Sequence, residues 1–123
     1  MKKIGILNAD LARLVASLGH GDLLVIGDAG LPVPPGVPCI DLAVTHGVPT
    51  FAQVLTAVLT EMQVESCAMA TQASAPLRAL APMAPRLIDH AAFKVETRQA
   101  RAIVRTGEIT PYANIALYAG VTF

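Results

Sequence analysis

Two hydrophobic periods alternate along this 123-residue chain, and the switches between them mark its elements. Leu11, Leu14, Val15 and Leu18 recur at i, i+3, i+4 and i+7, the spacing of one helical face. Asn8 stands before them as an N-cap, Asp10 falls in the first turn, and Gly19 ends the helix. Leu23-Leu24-Val25-Ile26 is a continuous apolar run, as expected of a strand covered on both faces. Leu31 to Pro38 carries four prolines and a glycine, which predicts an ordered loop. Cys39 to Leu42 reads as a short strand. From Thr50 a second helix presents Phe51, Val54, Leu55, Val58, Leu59 and Met62. The helical period is lost from Val64 to Ala70, which predicts another strand.

Residues 71–87 hold Pro76, Pro82 and Pro85 and read as a helix fragment between turns. Arg86 to Asp89 is a strand end, followed by a helix over Ala91 to Ala100. Ala102-Ile103-Val104 is a strand that runs into a turn at Arg105-Thr106-Gly107-Glu108. Ile115 to Val121 is the last strand. Short apolar strands alternating with amphipathic helices predict an α/β fold: one domain over 1–123, a three-layer-like sandwich with a largely parallel central sheet.

Composition changes this picture in one respect. Hydrophobic residues make up 54% and charged residues only 15%, against a usual charged share of about 25%. A small domain has much surface and little interior, so a chain this apolar covers part of its surface with copies of itself. Homo-oligomerisation is the expectation. Nine basic residues balance nine acidic ones, and the aromatics are Phe51, Phe93, Phe123, Tyr112 and Tyr118. Without a basic patch or stacking platforms, nucleic-acid binding is excluded. Leu42 to Thr60 lacks formal charge, but His46, Pro49, Gln53 and four threonines interrupt it, so it is not a membrane span. Asn8, Asp10 and Arg13 cut short the apolar start before a signal-peptide core forms. Cys39 and Cys67 form no paired zinc or redox motif. A cytoplasmic protein is expected.

Candidate chemistry is sparse. Asp28 follows four apolar strand residues and precedes small ones, where α/β sheets bind ligands. It reads either as a ligand-binding carboxylate or as a cap on the following turn. His20, in Leu18-Gly19-His20-Gly21-Asp22, has an imidazole exposed by its flanking glycines, suited to proton transfer near neutrality or to a solvated turn. His46 and His90 follow apolar segments and read as structural or surface groups. Tyr112-Ala113-Asn114 supplies a phenol and an amide in one loop, suited to hydroxyl recognition or to a packed turn. Arg105 to Glu108 reads as a solvated charged turn. No dinucleotide fingerprint, phosphate-cradling loop, nucleophile elbow or zinc spacing is present. What remains is proton transfer or plain binding, with no metal and no cofactor.

Taken together the residues resemble the D-ribose pyranase family, beside the fucose mutarotases. The resemblance runs from Met1 to Phe123. It is carried by Leu7-Asn8, Leu18-Gly19-His20, Asp28-Ala29-Gly30-Leu31-Pro32, Gly47-Val48-Pro49, Glu61-Met62-Gln63-Val64-Glu65, Arg105-Thr106-Gly107-Glu108, Pro111 to Ile115 and Ala119 to Phe123. The Asp28 and Tyr112 blocks resemble the pyranases more than the mutarotases. The resemblance implies cofactor-free interconversion of pyranose and furanose D-ribose in a ring-shaped homo-oligomer, often a decamer, with sites near subunit boundaries. It assigns His20 as the acid/base and Asp28, His90, Tyr112, Ala113 and Asn114 to the sugar. Asp28 either binds sugar or fixes the tautomer of His20. The alternatives are a fucose-type mutarotase and a non-catalytic sugar-binding oligomer. The stretch between Ala70 and Asp89 is shorter than in typical members, so His90 is matched across a gap.

Overall fold

Leu23 and Val25 lie in one apolar cluster and Leu24 and Ile26 in another, so β1 (Leu23–Gly27) is buried along its whole length between two layers. In a computed structural model describing residues 1–123, the other strands are β2 (Cys39–Asp41), β3 (Val64–Ala70), β4 (Arg86–Ile88), β5 (Ala102–Arg105) and β6 (Ile115–Ala119). They form one sheet in the order β2-β5-β1-β6-β3-β4. β1 pairs with β5, β5 with β2, and β3 with β4 in parallel; β6 runs antiparallel to both of its neighbours. The sheet is mixed and mostly parallel, with one reversed strand near its middle.

Side-chain alternation along the strands builds two cores. Leu24, Ile26, Ala102, Val104, Ile115 and Leu117 face α1 (Ala9–Ser17) and α2 (Phe51–Leu59), which contribute Leu11, Leu14, Phe51, Val54, Leu55 and Val58. Leu23, Val25, Ile103 and Ala116 face the other way, onto Phe93 of α4 (His90–Glu96) and onto Leu31. Phe51 and Phe93 are fully buried, one in each core; truncating either to alanine costs about 3–5 kcal/mol. No helix is long and apolar enough to cross a membrane.

Local signals explain where the helices begin. Asn8 Oδ1 accepts the Leu11 N–H at 2.9 Å, capping α1 as expected. Thr50 and Gln53 form a reciprocal capping box on α2. The helix fragment in 71–87 is α3 (Ala75–Arg78), a single turn with Pro76 in its first turn. Several boundaries differ from expectation. Leu18, in extended backbone, closes α1 rather than Gly19. The helix expected at Ala91 starts at His90, because the Asp89 carboxylate accepts the Ala91 N–H and caps it. It ends at Glu96, and Thr97–Gln99 tightens into a 3₁₀ turn. The last strand stops at Ala119, where the Gly120 N–H turns to the Gln63 carbonyl.

The Arg105–Glu108 turn is not solvated. Arg105 is the last residue of β5, and Thr106 is fully buried, its hydroxyl donating to the Gly27 carbonyl at 2.9 Å. A Cβ on Gly107 would run into the Val48 and Thr45 carbonyls, so only glycine fits beneath that loop. Glu108 reaches back to the start of α2, accepting the Phe51 N–H at 3.1 Å. Burial opposes its charge, but N–H groups of Thr110, Phe51 and Ile109 and the Thr110 hydroxyl prevail and hold the carboxyl below its ordinary range. A polar-looking tetrapeptide therefore anchors one end of the sheet.

Candidate functional site

The expected site residues fall at two opposite ends of the sheet. The first group gathers beyond the carboxyl ends of β1 and β4, where reversed β6 begins. Asp28 leaves β1 there, and its Oδ1 accepts the Gly30 N–H at 2.9 Å, so the carboxylate does cap its own turn. Its other oxygen, Oδ2, accepts the Asn114 amide at 3.0 Å, and Asn114 Oδ1 accepts the Asp28 N–H at 2.8 Å. Asn114 is fully buried, with both ends of its amide engaged. Asp28 is half-buried and keeps lone pairs for a further donor.

Tyr112 stands two residues before Asn114 in left-handed backbone, φ 64°. Its partly exposed ring meets that of His90 edge-on, with centroids 5.0 Å apart. His90 also stacks on Phe93 at 6.4 Å. Its backbone N–H donates to Gln72 Oε1 at 3.1 Å, while Gln72 Nε2 donates to Asp89. The Gln72 amide and the Ala91 N–H hold the Asp89 carboxyl below its ordinary range. His90 Nδ1 is buried without a hydrogen-bond partner, which is uncommon for a ring nitrogen. Ala113, fully buried, joins the two halves of the group through its backbone. His90, Tyr112, Ala113, Asn114 and Asp28 are thus one contiguous cluster, able to offer hydroxyl groups both donors and acceptors.

His20 lies at the other end. It precedes β1 while Asp28 follows it, so five strand residues at roughly 3.3 Å each, about 16 Å, separate the two. Within one chain Asp28 does not orient His20. The imidazole is well exposed, and its Nε2 lies 2.7 Å from Glu65 Oε2. Its loop is held from several sides: the Gly21 N–H donates to the Ala119 carbonyl at 2.8 Å, and the Gly19 N–H to Asp22, which Arg101 pairs at 2.8 Å. Gly21 has φ 81°, a conformation open to glycine. His20 borders a hollow of about 280 Å³ with Glu61, Gln63, Gly120 and Phe123.

Glu65 and Gln72 were not among the expected site residues. Their partners lie 45 and 18 positions away in the chain, and periodicity carries no such pairing. One signal for Glu65 was available: Glu65 and Ser66 are consecutive polar residues inside an apolar strand pattern. His46 is exposed, as expected. Burial pushes the Cys67 thiol up, leaving it an inert core group. No three His, Cys, Asp or Glu side chains are grouped to hold a metal ion.

Comparison with known proteins gives one consistent result. The model of the RbsD / FucU transport protein family matches residues 1–122. D-ribose pyranases from Paracidovorax citrulli and Pseudomonas fluorescens (strain Pf0-1) are 58% and 59% identical, each match covering 100% of both chains. Bacillus subtilis RbsD, solved complexed with D-ribose, superposes with a TM-score of 0.92 at 46% identity over 100% of both chains. The Streptococcus pneumoniae fucose mutarotase in complex with L-fucose gives a TM-score of 0.80 at 24% identity over 100% of both chains, a likeness of fold alone.

Proposed function

Since this chain belongs to the RbsD / FucU transport protein family, we propose that it is an isomerase of the D-ribose pyranase type, interconverting pyranose and furanose ring forms of D-ribose. The observation that carries this reading is the full-length match to D-ribose pyranases at 52–59% identity. The D-ribose complex of the 46%-identical B. subtilis protein supports the sugar.

Opening a cyclic hemiacetal requires a base for the anomeric hydroxyl proton and an acid for the departing ring oxygen. Reclosure through another hydroxyl gives the other ring size. His20 takes the first proton and returns it to the ring oxygen, the type of step to which positioned acid/base groups contribute about 10²–10⁴-fold. Asp28 accepts a sugar hydroxyl with the lone pairs that Gly30 and Asn114 leave free. His90 and the Tyr112–Asn114 segment complete the grip, with Asn114 holding Asp28 as its part in binding.

One chain carries the acid/base and the sugar grip about 16 Å apart along β1, so each site is completed by two copies. His20 of one copy reaches the Asp28 cluster of its neighbour in a homo-oligomer of the decameric type. The apolar hollow of about 400 Å³ lined by Ile6, Leu7, Leu42, Pro49 and Val54, beside exposed Ile4, Val44 and Val48, supports a surface covered by another copy. The enzyme works in the cytoplasm.

Magnetisation-transfer NMR on D-ribose tests the reading. Wild type speeds exchange between ring forms and His20→Ala abolishes most of that gain. Equal exchange with His20→Ala and wild type removes His20 from the mechanism, and saturable binding without any rate gain leaves only a sugar-binding oligomer.

A further inference from the structure

Glu65 sits where the pairing of β3 with β6 breaks step. Val64 pairs with Ala119 and Ser66 with Tyr118, leaving Glu65 as the extra residue of a β-bulge. The bulge breaks the strand's alternation, so Glu65 and Ser66 are both exposed before the pattern returns to buried at Cys67. On the partner side Gly120 leaves room for it: a Cβ there would lie 3.1 Å from the Glu65 Cβ. The bulge aims the carboxylate at the His20 ring, Oε2 to Nε2 at 2.7 Å, and His20 makes no other side-chain hydrogen bond.

We propose that Glu65 is the positioning residue for His20 in ring-form exchange, an assignment that rests on the reading of His20 as the acid/base. The carboxylate accepts the Nε2–H, which selects that tautomer and leaves Nδ1 as the nitrogen that exchanges a proton with the sugar. A carboxylate partner also stabilises the imidazolium formed when the anomeric proton is taken, as in other carboxylate–histidine pairs. Other polar groups nearby are otherwise placed. Asp22 is engaged by Arg101 and the Gly19 N–H, and Glu61 by the Ile6 N–H at 2.6 Å and by Lys2. The Phe123 end of the chain borders the same hollow but makes no hydrogen bond with the ring.

The test combines exchange rates on D-ribose with ¹⁵N shifts of the His20 ring. Glu65→Ala slows exchange by ~10–100-fold, a part of the ~10²–10⁴-fold that a positioned acid/base group contributes, and the ring moves from the Nε2–H tautomer to a mixture. Glu65→Gln, whose amide oxygen accepts the same bond, recovers part of the rate and of the ¹⁵N signature, and carries the test if the alanine variant fails to fold. Adding Glu65→Ala to His20→Ala costs nothing further, because the carboxylate acts only through the ring. A Glu65→Ala protein with wild-type rate and tautomer overturns the positioning role, as does an additive loss in the double variant. A His20→Ala protein as fast as wild type overturns the reading of the reaction instead, so the two failures are told apart.

Discussion

Asn114 and Asp28 exchange two hydrogen bonds, the Asn114 carbonyl accepting the Asp28 backbone N–H and its amide donating to the Asp28 carboxylate. The donor–acceptor polarity is specific to asparagine. Asn114→Asp places two carboxylates in contact at a fully buried position, where like charges strongly disfavour ionisation of both. Asn114→Ala leaves the Asp28 N–H without its acceptor and costs about 1–3 kcal/mol. Urea denaturation ranks the variants: wild type is the most stable and Asn114→Asp loses stability as pH rises from 5 to 8. Equal midpoints for wild type and Asn114→Ala would contradict the assigned role of this pair.

His90 packs between two rings and, in the proposed grip, also binds sugar; a single substitution separates the two roles. Phenylalanine keeps the edge-on contact with Tyr112 and the stack on Phe93 but removes both ring nitrogens. We expect His90→Phe to hold stability within about 1 kcal/mol while D-ribose affinity falls ~3–10-fold, the value of one hydrogen bond. Titration calorimetry reads the affinity; an unchanged value takes His90 out of the sugar grip.

Acid sensitivity follows from Glu108. Its folded-state carboxyl titrates below its ordinary value, so its contribution is present above the unfolded pKa and is lost as pH falls through the folded one. The Thr110, Phe51 and Ile109 donors then face a neutral acid. Between pH 7 and pH 3, Glu108→Gln loses less stability than wild type, read as the difference in urea midpoints. An identical pH slope for the two proteins refutes this account.

Local signals in the sequence located elements well because they are set by nearest neighbours. Val64 to Ala70 is a strand with the expected bounds, Asn8 and Thr50 cap their helices, and the Leu23–Ile26 run is buried on both faces. Long-range order was less legible. Nothing in the period of Ile115 to Ala119 says that this strand is reversed or that it inserts between β1 and β3. Arg105 to Glu108 reads as solvated because its residues are polar, yet the Thr106 hydroxyl donates to the backbone of β1 and Glu108 accepts the Phe51 N–H at the start of α2. The separation of His20 from Asp28 was in principle readable, since one lies before and the other after an unbroken strand.

The reversed strand has a mechanical consequence. β6 starts just after Asn114 and ends just before the tail that borders His20, and it is laddered to a neighbour on each side. Sliding it by one residue would swap Ala116 with Ile115 or Leu117 between the two cores, so its register is locked. It acts as a fixed gauge bar between the poles of the molecule. With the two-copy site proposed above, any tuning of the gap between imidazole and carboxylate resides in how neighbouring copies seat against each other, not in give within a single copy.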